Sequence, residues 1–471
     1  MGVGLVFARR VLHGFVALAV LAALQWILLA QTAPQPARAQ STGPPNIVLI
    51  LTDDQRFDTL QVMPAVQQLL MQRGMTLRRA IVTNPLCCPS RASILTGRYS
   101  HTTGVYTNGQ TNGGWVAFQP SESDTIATAL QAAGYRTGLI GKYLNGYRGP
   151  DIYVPPGWDR WFAFAGQNGG YYDYSIFDDA AGPGAVSFGS LPKHYSTDVI
   201  RRKAVAFIRS APADTPFFLM VTPYAPHAPL TAALRHAGTF SRAPVRLVPS
   251  VNESDVSDKP VFIRRRGTVD PEVLRRRTRR QWDMLLAVDD LVSRIVAVLA
   301  ETGRGDNTLV IFTSDNGLSN YEHRWTGKGV PYEESLRVPM VVRFPDWIPA
   351  GTVSNALVSN VDIAPTIADF AGVSLSTEGV SLRPLLTDGV SSVRDSVLLE
   401  HLGGSPLPSY CGVRTPSFMF AHYATGEEEL YDLFQDPYQL VNVASLRPRK
   451  AAELRELTGS LCRPVPPGFS W

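Results

Sequence analysis

Runs of large apolar residues alternate along this chain with segments whose apolar positions recur every three or four residues. Asn46–Thr52 and residues 308–313 are almost entirely apolar, which is typical of buried parallel strands. Further strands are predicted at residues 137–140, 217–222, 338–344 and 357–361, and helices at residues 63–73, 125–133 and 281–301. This alternation predicts an α/β fold, a sandwich in which helices flank a large, mainly parallel sheet.

The pattern changes at about residue 395, where short strand-like pieces replace the alternation. These pieces predict a small antiparallel sheet and lie at residues 396–400, 417–423 and 429–433. We therefore expect three parts, which are a leader at residues 1–39, a main α/β domain at 40–394 and a C-terminal α+β subdomain at 395–471.

The first 39 residues have the pattern of a secretory signal peptide. Arg9 and Arg10 precede an apolar stretch at residues 11–30, and residues 37–39 form an Ala-x-Ala cleavage site. An uncleaved membrane anchor is the alternative, because the apolar stretch is just long enough to span a bilayer. The small-residue site favours cleavage. We expect an exported protein, secreted or held in the periplasm or cell envelope, that contacts a membrane only if the leader is uncleaved.

The chain carries 44 Lys and Arg against 40 Asp and Glu, which gives a net charge of +4 at pH 7. Arg9, Arg10 and Arg38 lie in the leader, so the mature protein would carry only +1. A nearly neutral protein has no general attraction for a phosphate backbone. We therefore expect no nucleic-acid partner.

Two segments stand apart from this pattern. Residues 149–192 are rich in Gly, Tyr, Asp and Trp and predict a long loop, and long ordered loops in compact domains are often functional. Residues 264–280 carry eight arginines. The favoured interpretation of this run is a solvent-exposed helix face. The alternative is a surface that binds a polyanionic glycan.

Residues 86–98 place a nucleophile, a helix start and a cation within one helical turn. Cys87 precedes Pro89, which suits a first helical turn because its missing N–H would be unpaired there. The free N–H groups of such a turn attract anions. Arg91 adds a planar guanidinium that matches a tetrahedral oxyanion, and Gly97 suits the helix exit. The run therefore predicts an anion site beside a nucleophile.

Paired oxygen-bearing side chains follow the two most apolar runs. Asp53 and Asp54 end the first, and Asp315 and Asn316 end the second. Ligands bind beyond the carboxyl ends of parallel strands, so the two pairs can converge although they are distant in sequence. Either pair alone could be a turn cap. Together with Cys87, these oxygen donors predict a site for a hard cation, Ca²⁺ or Mg²⁺.

Basic side chains follow strands at the same predicted edge. Lys142 and His227 each follow a strand, and His323 and Lys328 follow the strand that ends at Asp315. A lone Lys or His is usually a surface or structural residue. Their shared position beyond strand ends predicts positive groups around the metal.

The spacing Cys-x-Pro-Ser-Arg-x-x-x-x-Thr-Gly from Cys87 to Gly97 resembles the signature of type I sulfatases. The resemblance extends from Asn46 to Ala444. It implies an alkaline-phosphatase-like fold, with residues 40–394 as the catalytic domain of a sulfuric ester hydrolase. It also implies that a formylglycine-generating enzyme converts Cys87 to formylglycine, and that Ca²⁺, or alternatively Mg²⁺, binds beside it.

The resemblance assigns roles to individual positions of this sequence. The implied metal ligands are Asp53, Asp54, Cys87, Asp315 and Asn316. The implied catalytic residues are Cys87, Arg91, Lys142, His227 and Lys328. Two further residues are assigned to substrate binding, and these are His323 and Asn145.

One motif departs from the common arylsulfatase pattern. Many arylsulfatases have Lys-x-His at the position of Lys142, and that histidine, which is Leu144 here, abstracts a proton late in the cycle. The string Gly-Lys-Tyr-Leu-Asn at residues 141–145 resembles the branch that acts on N-acetylglucosamine 6-sulfate in glycosaminoglycans. A sulfated sugar, or another sulfated small molecule, is therefore the expected substrate. The candidates for the missing base are His101, His227 and His323.

Two other classes of function remain open at this point. A related enzyme of the same fold could use the same site for tetrahedral anions, as an arylsulfatase, a phosphodiesterase or a phosphonate monoester hydrolase. A secreted glycan-binding protein would instead keep Cys87 as an unconverted cysteine.

The chain has four cysteines. Considered alone, the adjacent Cys87 and Cys88 could be buried apolar residues or halves of disulfides. If Cys87 is converted as the resemblance implies, Cys411 and Cys462 become the natural disulfide pair in an oxidising compartment. Cys88 then remains as a free, buried thiol.

Overall fold

The structure is a computed structural model that describes residues 43–109, 111–149, 151–166, 169–182 and 184–471. The predicted leader at residues 1–39 lies outside the described residues. In the described part of the chain, every helix is too short or too polar to cross a bilayer.

The described residues form strands and helices in alternation. The strands are β1 (Asn46–Thr52), β2 (Met75–Ile81), β3 (Arg136–Gly141), β4 (Arg160–Phe164), β5 (Tyr174–Asp178), β6 (Ala185–Phe188), β7 (Phe217–Thr222), β8 (Thr308–Ser314), β9 (Ser319–Asn320), β10 (Thr326–Gly327), β11 (Arg337–Val338), β12 (Met340–Arg343), β13 (Thr352–Ser359), β14 (Val397–His401), β15 (Tyr410–Arg414), β16 (Phe418–Tyr423) and β17 (Glu428–Asp432). The α-helices are α1 (Pro64–Leu69), α2 (Cys87–Thr96), α3 (Ser100–Thr103), α4 (Gly114–Phe118), α5 (Ile126–Ala132), α6 (Ser196–Ser210), α7 (Val261–Arg264), α8 (Pro271–Glu301), α9 (Glu333–Leu336), α10 (Ile363–Ala371), α11 (Arg383–Thr387) and α12 (Pro448–Leu461). Short 3₁₀ helices lie at Phe57–Val62, Met71–Arg73, Gln119–Ser121, Asp179–Ala181, Pro192–His194 and Asn360–Asp362.

Eleven strands form one large sheet in the order β11, β2, β12, β8, β1, β7, β3, β4, β5 and β6, with β13 paired to β2. The strands β8, β1, β7, β3 and β4 are parallel to one another, and antiparallel pairs flank them. β1 and β8 are in register from Asn46 opposite Thr308 to Thr52 opposite Ser314. The two strands therefore end level, and the residues that follow them meet at one edge of the sheet.

Helices cover both faces of the sheet. In β1, Ile47, Leu49 and Leu51 pack into the core that contains α2, whereas Val48 and Ile50 pack into the core that contains α8. All seven residues of β1 are buried, which explains why this strand is apolar throughout and does not alternate. The predicted α/β sandwich is confirmed.

Some local predictions are wrong. Residues 149–192 are not one long loop, because β4, β5 and β6 lie within them and extend the sheet beyond β3. The Gly and Asp residues of this segment favour turns, while its Tyr and Trp residues favour strands. The helix predicted at residues 63–73 is split into α1 and a 3₁₀ turn. The pattern does not predict β2, since exposed Arg78 and half-buried Arg79 interrupt its apolar run.

The C-terminal strands β14 to β17 form a separate antiparallel sheet, as the sequence predicts. One face of this sheet packs against the segment that carries Lys328. Trp325 and Tyr332 on that segment share a buried cluster with Leu399 and Tyr410 of the sheet. The small sheet therefore supports the loop that brings Lys328 to the edge of the large sheet.

The opposite face of the small sheet is covered by α12. A disulfide joins Cys411 in β15 to Cys462 at the end of this helix, which confirms the expected pair. Cys88 is a buried free thiol, also as expected.

Candidate active site

The end of β1 places Asp53 and Asp54. Asp53 is fully buried, and Asp54 has a left-handed backbone with φ of +64°, a conformation that Asp tolerates better than most residues. The amide of Asp54 donates to Asp315 Oδ1 at 3.3 Å, and Asn316 Nδ2 donates to Asp54 Oδ1 at 2.6 Å. The level ends of β1 and β8 thus bring the two predicted pairs together.

Cys87 is the first residue of α2, and its Sγ lies 3.4 Å from Asp53 Oδ1. All ten residues of the helix are buried. The helix ends at Gly97, whose φ is +68° and whose N–H donates to Ser93 O at 2.8 Å. A Cβ there would lie 2.6 Å from Thr377 Cγ2, so the helix exit requires glycine. Cys87 is therefore held at the start of a fully buried helix.

Arg91, one turn further along α2, connects this helix to two strand ends. Its Nε donates to Asp315 Oδ2 at 2.7 Å, and its Nη1 donates to Lys142 O at 2.8 Å. The third nitrogen, Nη2, is buried and has no hydrogen-bond partner among the described residues. An unpaired buried donor costs about 1–3 kcal/mol. Arg91 Nη2 is therefore suited to bind an anion that enters the site.

Two lysines contact the buried carboxylates. Lys142 follows β3, and its Nζ lies 2.5 Å from Asp53 Oδ2. Lys328 Nζ pairs with Asp54 Oδ1 and also donates to Cys87 Sγ at 2.7 Å. These two ammonium groups neutralise the carboxylates, and that of Lys328 places a proton donor against the Cys87 sulfur.

His227 lies at the exposed side of the cluster. Its Nε2 lies 3.6 Å from Asp54 Oδ2, and its Nδ1 bonds to Ala228 O at 2.5 Å. Because a carbonyl oxygen only accepts, this contact assigns a proton to Nδ1, so Nε2 carries a proton only in the imidazolium form. The side chain is 27 % exposed, compared with 14 % for Lys328, so His227 is the more solvent-accessible of the two.

The charges of the cluster control one another's protonation. Burial opposes ionisation of Asp53, but Lys142, His227 and Lys328 hold the pKa of this carboxyl well below its ordinary value. Burial and the neighbouring Asp53 carboxylate raise the pKa of Cys87 to about 11. At neutral pH the thiol is therefore protonated while Asp53 is ionised.

His323 does not lie in the cluster, although it precedes Lys328 by only five positions. The ring is fully buried, its Nδ1 bonds to Glu253 Oε2 at 2.6 Å, and it packs on Tyr332. Within the described ranges it forms no hydrogen bond or ion pair with Cys87 or the carboxylates around it. Sequence spacing alone could not reveal this separation.

His101 is also placed away from the nucleophile. Its ring pairs with Glu400 at 3.0 Å and faces Glu378 at 3.5 Å. Of the three candidate bases, only His227 has a polar contact with the cluster among the residues that the structure describes.

Asn145 contacts the cysteine next to the nucleophile. Its amide donates to Cys88 Sγ at 2.9 Å, and its Oδ1 lies 3.5 Å from the same sulfur. Asn108 Oδ1 accepts the N–H of Cys88 at 2.8 Å. Both asparagines line a cavity of about 140 Å³ together with Trp115 and Arg148. Asn108 is not predicted from the sequence, in which an Asn-Gly turn is its local signal.

The donor atoms at the edge of the sheet fit a hard cation. One ligand atom from each of four residues lies within 4.8 Å of the others, and these residues are Asp53, Asp54, Cys87 and His227. Asp315 and Asn316 border this group through their contacts with Asp54. Such carboxylate and amide oxygens suit Ca²⁺ or Mg²⁺. The Cys87 sulfur stands in this group for the oxygen that formylglycine would present.

Two family models match the chain. The model described as Sulfatase matches residues 45–373, and the model described as N-sulphoglucosamine sulphohydrolase, C-terminal, matches residues 321–461. The first match alone covers more than half of the chain, from the start of the large sheet through α10.

Two relatives illustrate the similarity at the level of sequence. The extracellular sulfatase SULF-1 homolog of Drosophila melanogaster is 37 % identical over 377 residues, which cover 76 % of this chain and 33 % of the relative. The N-acetylglucosamine-6-sulfatase of Homo sapiens is 33 % identical over 462 residues, which cover 86 % of this chain and 82 % of the relative. The chain thus spans about a third of the first relative's length and most of the second's.

A solved structure of a protein in complex with its substrate D-glucosamine-2-N,6-O-disulfate is similar with a TM-score of 0.76 and 26 % sequence identity. The similarity covers 89 % of this chain and 97 % of that chain. It confirms the expected alkaline-phosphatase-like fold. Because the family model matches most of the large sheet and the site at its edge, this chain belongs to the sulfatase family.

Proposed function

We propose that this protein hydrolyses sulfate monoesters and that its substrate is a sulfated sugar such as N-acetylglucosamine 6-sulfate. The observation that carries the proposal is the position of Cys87 Sγ, in contact with both Asp53 and Lys328 at the start of α2. The human relative named N-acetylglucosamine-6-sulfatase and the solved complex with a glucosamine disulfate support a sugar substrate. The Gly-Lys-Tyr-Leu-Asn string at residues 141–145 supports the same class.

In this proposal a formylglycine-generating enzyme converts Cys87 to formylglycine, and Ca²⁺ or Mg²⁺ binds beside it. The ligands of the ion would be Asp53, Asp54, Asp315, Asn316 and the modified residue. Hydrated formylglycine would supply one hydroxyl as the nucleophile toward sulfur and a second through which sulfate is released as the aldehyde re-forms, an exit that an unmodified cysteine lacks. The bound ion supplies positive charge for the nucleophile and the sulfate oxygens.

Three cations of the chain set the charge around the substrate sulfate. Lys328 holds a proton at the atom where the nucleophile forms, because its Nζ already donates to the Cys87 sulfur. Arg91 donates from the unpaired Nη2 to a sulfate oxygen. Lys142 neutralises Asp53 beside them. Together these groups offset the charge that develops on the sulfate oxygens during transfer.

His227 takes the proton-transfer role at the entrance. As imidazolium, its Nε2–H protonates the leaving alcohol, and as neutral imidazole the same atom accepts the proton whose loss releases sulfate. Its exposure and its contact with Asp54 support both steps. His227 would thereby replace the histidine whose position Leu144 occupies. His101 pairs with Glu400 and His323 pairs with Glu253, so these two histidines would hold carboxylates away from Cys87.

We also propose that the protein is exported. A relative described as an extracellular sulfatase supports an extracytoplasmic location. The disulfide between Cys411 and Cys462 is in keeping with an oxidising compartment. The leader at residues 1–39 would direct export, and sequencing the amino terminus of the mature protein tests its cleavage.

Peptide mass spectrometry combined with a turnover assay tests the proposed activity. Conversion of Cys87 lowers the mass of its tryptic peptide by about 18 Da, the difference between the two residue formulae. Converted protein should release sulfate from N-acetylglucosamine 6-sulfate over many turnovers. An intact thiol with no turnover would instead support the glycan-binding protein. Faster hydrolysis of a phosphodiester or phosphonate monoester would support the related enzyme of the same fold.

A further inference from the structure

A cleft of about 640 Å³ lies beside the segment that carries Lys328. One wall contains Phe262, Arg265 and Arg266, and the other contains Pro406 and Pro408. We call it the arginine cleft. Its volume falls in the range of about 300–1,000 Å³ that is typical of ligand pockets.

The first wall of the arginine cleft is connected to the nucleophile. The guanidinium of Arg266 stacks on the Trp325 ring at 3.9 Å, and Trp325 Nε1 donates to Lys328 O at 3.3 Å. Lys328 in turn contacts Cys87. The wall is therefore linked to the nucleophile through the side chains of one short segment.

The second wall contacts the same segment from the other side. Leu407 lies between the two prolines of that wall, and it packs against Gly329, the neighbour of Lys328. A Cβ on Gly329 would lie 3.0 Å from Leu407 Cδ2. Both walls of the arginine cleft thus rest on residues 325–329, whose lysine reaches the nucleophile.

In the described part of the chain, the two arginines of the cleft have no carboxylate partner. The side chains of Arg265 and Arg266 form no ion pair with any residue that the structure describes, and Arg266 Nε is buried without a hydrogen-bond partner. Glu427 is the acidic residue of the lining, and its carboxylate accepts from Val261 N at 2.9 Å and Thr425 Oγ1 at 3.0 Å. The cleft therefore offers two uncompensated guanidinium groups beside one engaged carboxylate.

The other arginines of residues 264–280 are arranged differently. On α8, Arg275 and Arg279 pair with Glu272 at 3.6 and 2.8 Å, and Arg276 is exposed on the same helix. These side chains form a solvent-facing, partly paired helix surface. Of these eight arginines, Arg265 and Arg266 line the arginine cleft, whereas Arg264 pairs with Glu427 at 3.8 Å.

We infer that the arginine cleft binds a second anionic group of the substrate, a sulfate or carboxylate on the sugar next to the one that is desulfated. This inference rests on the proposed function. A guanidinium donates two parallel hydrogen bonds to either oxyanion. Exposed Pro406 and half-buried Pro408 offer an apolar surface for the C–H face of a sugar ring. The preferred substrate is then a polyanionic oligosaccharide and not an isolated sugar sulfate.

Steady-state kinetics on four substrates tests this inference. The substrates are the glucosamine 6-sulfate monosaccharide and three disaccharides, in which it is joined to a uronic acid, a sulfated hexose or a neutral hexose. The variants are R265Q, the double variant R265Q/R266Q and, as a matched control on α8, R276Q. R265Q is measured alone because Arg266 also stacks on Trp325.

We expect the double variant to raise KM for one or both anionic disaccharides about ten-fold, and R265Q to raise it by a smaller factor. R265Q should not change KM for the neutral disaccharide or the monosaccharide, and R276Q should change none. The disaccharide that responds identifies carboxylate or sulfate as the group bound. Equal wild-type KM for charged and neutral disaccharides, or equal losses on all four substrates, would overturn the inference.

Binding separates this inference from the proposed activity. Calorimetry of a Cys87→Ala variant with the same disaccharides measures their binding without turnover. If the wild-type protein hydrolyses none of them but the variant binds an anionic disaccharide through Arg265, the activity is wrong and the cleft stands. If hydrolysis occurs but R265Q alters neither binding nor KM, the cleft is wrong and the activity stands.

Discussion

Lys328 Nζ lies 2.7 Å from Cys87 Sγ, although the two residues are 241 positions apart in the chain. The neighbouring Gly329 fixes this approach from two sides. Its N–H donates to Pro85 O at 3.1 Å, just before the nucleophile, and its carbonyl accepts from the Tyr410 hydroxyl at 2.9 Å. The C-terminal sheet therefore completes a site that the first strand and α2 begin.

Replacing Lys328 with methionine should remove the proton donor at the nucleophile. We expect Lys328→Met to lower kcat by about 10²–10⁴-fold, because it removes both charge stabilisation and proton transfer. The measurement is sulfate release per converted Cys87, with conversion quantified by mass spectrometry. Lys193→Met, at an exposed position, is the matched control and should be silent. A loss of less than ten-fold for Lys328→Met would show that this contact is not used in turnover.

The adjacent cysteines provide a matched pair of variants. Cys87→Ser cannot form formylglycine by cysteine conversion and should lose multiple-turnover activity. Cys88→Ser keeps the conversion site and retains an acceptor for the Asn145 amide, so its activity should stay within about ten-fold of wild type. Sulfate release over time measures both. Near wild-type turnover by Cys87→Ser would refute the mechanism.

Binding of a cation should stabilise the folded protein. Added Ca²⁺ at 100 times its Kd should raise the free energy of unfolding by about 2.7 kcal/mol, and chelation should reverse the effect. Asp54→Asn should abolish most of this response in thermal unfolding. Asp214→Asn, at an exposed turn before β7 and at the opposite end of the strands, should keep it. Equal responses of the two variants would place the cation elsewhere.

The sequence predicts the parts of the site that follow from strand ends and a helix start. Asp53 and Asp315 follow apolar strands that pair in register, so their meeting is a consequence of the parallel sheet. Cys87 begins a helix because Pro89 and Gly97 mark its two ends. These features are set by residues that are close in sequence, so they can be predicted from a single sequence.

Other features depend on backbone turns that the pattern does not encode. His323 and Arg324 both have left-handed backbones, with φ of +50° and +57°, and the His323 ring is directed to Glu253 and not to the nucleophile. The contact of Lys328 with Cys87 depends on packing against the C-terminal sheet, which lies far along the chain. Neither arrangement has a signature in residue spacing.

The environment of His101 predicts a loss of stability at alkaline pH. Burial opposes the charged ring, but hydrogen bonds to Glu378 and Glu400 raise the pKa of His101 from 6.5 to about 9. Because the pKa of His101 is higher in the folded protein than in the unfolded chain, its protonation stabilises the fold. This contribution is fully present below pH 6.5 and is lost as the pH rises to about 9. With allowance for solvent screening, we expect a loss of about 1–2 kcal/mol over this interval.

Urea unfolding at a series of pH values measures this loss. His101→Gln should flatten the pH dependence between 6.5 and about 9 while lowering stability below that interval. A variant whose free energy of unfolding follows the wild-type pH profile would assign the titration to another group.

Gly327 and Gly329 flank Lys328 and offer a controlled test of how the C-terminal sheet positions this lysine. Both have a positive φ, +101° and +94°, so alanine at either position should cost a similar backbone penalty of about 1–2 kcal/mol. Only at 329 would the added Cβ meet neighbours, at 3.0 Å from Leu407 Cδ2 and 3.4 Å from His401 Cε1. At 327 no described atom lies within 4 Å.

We therefore expect Gly329→Ala to lose about 1 kcal/mol more than Gly327→Ala in urea unfolding, because it adds a clash to the shared backbone strain. The clash would move the segment away from the C-terminal loop and draw Lys328 Nζ away from the nucleophile. kcat should consequently fall about ten-fold further in Gly329→Ala than in Gly327→Ala, since proton transfer and charge stabilisation depend on this contact. Equal kcat values in the two variants would show that packing against the C-terminal loop does not position Lys328.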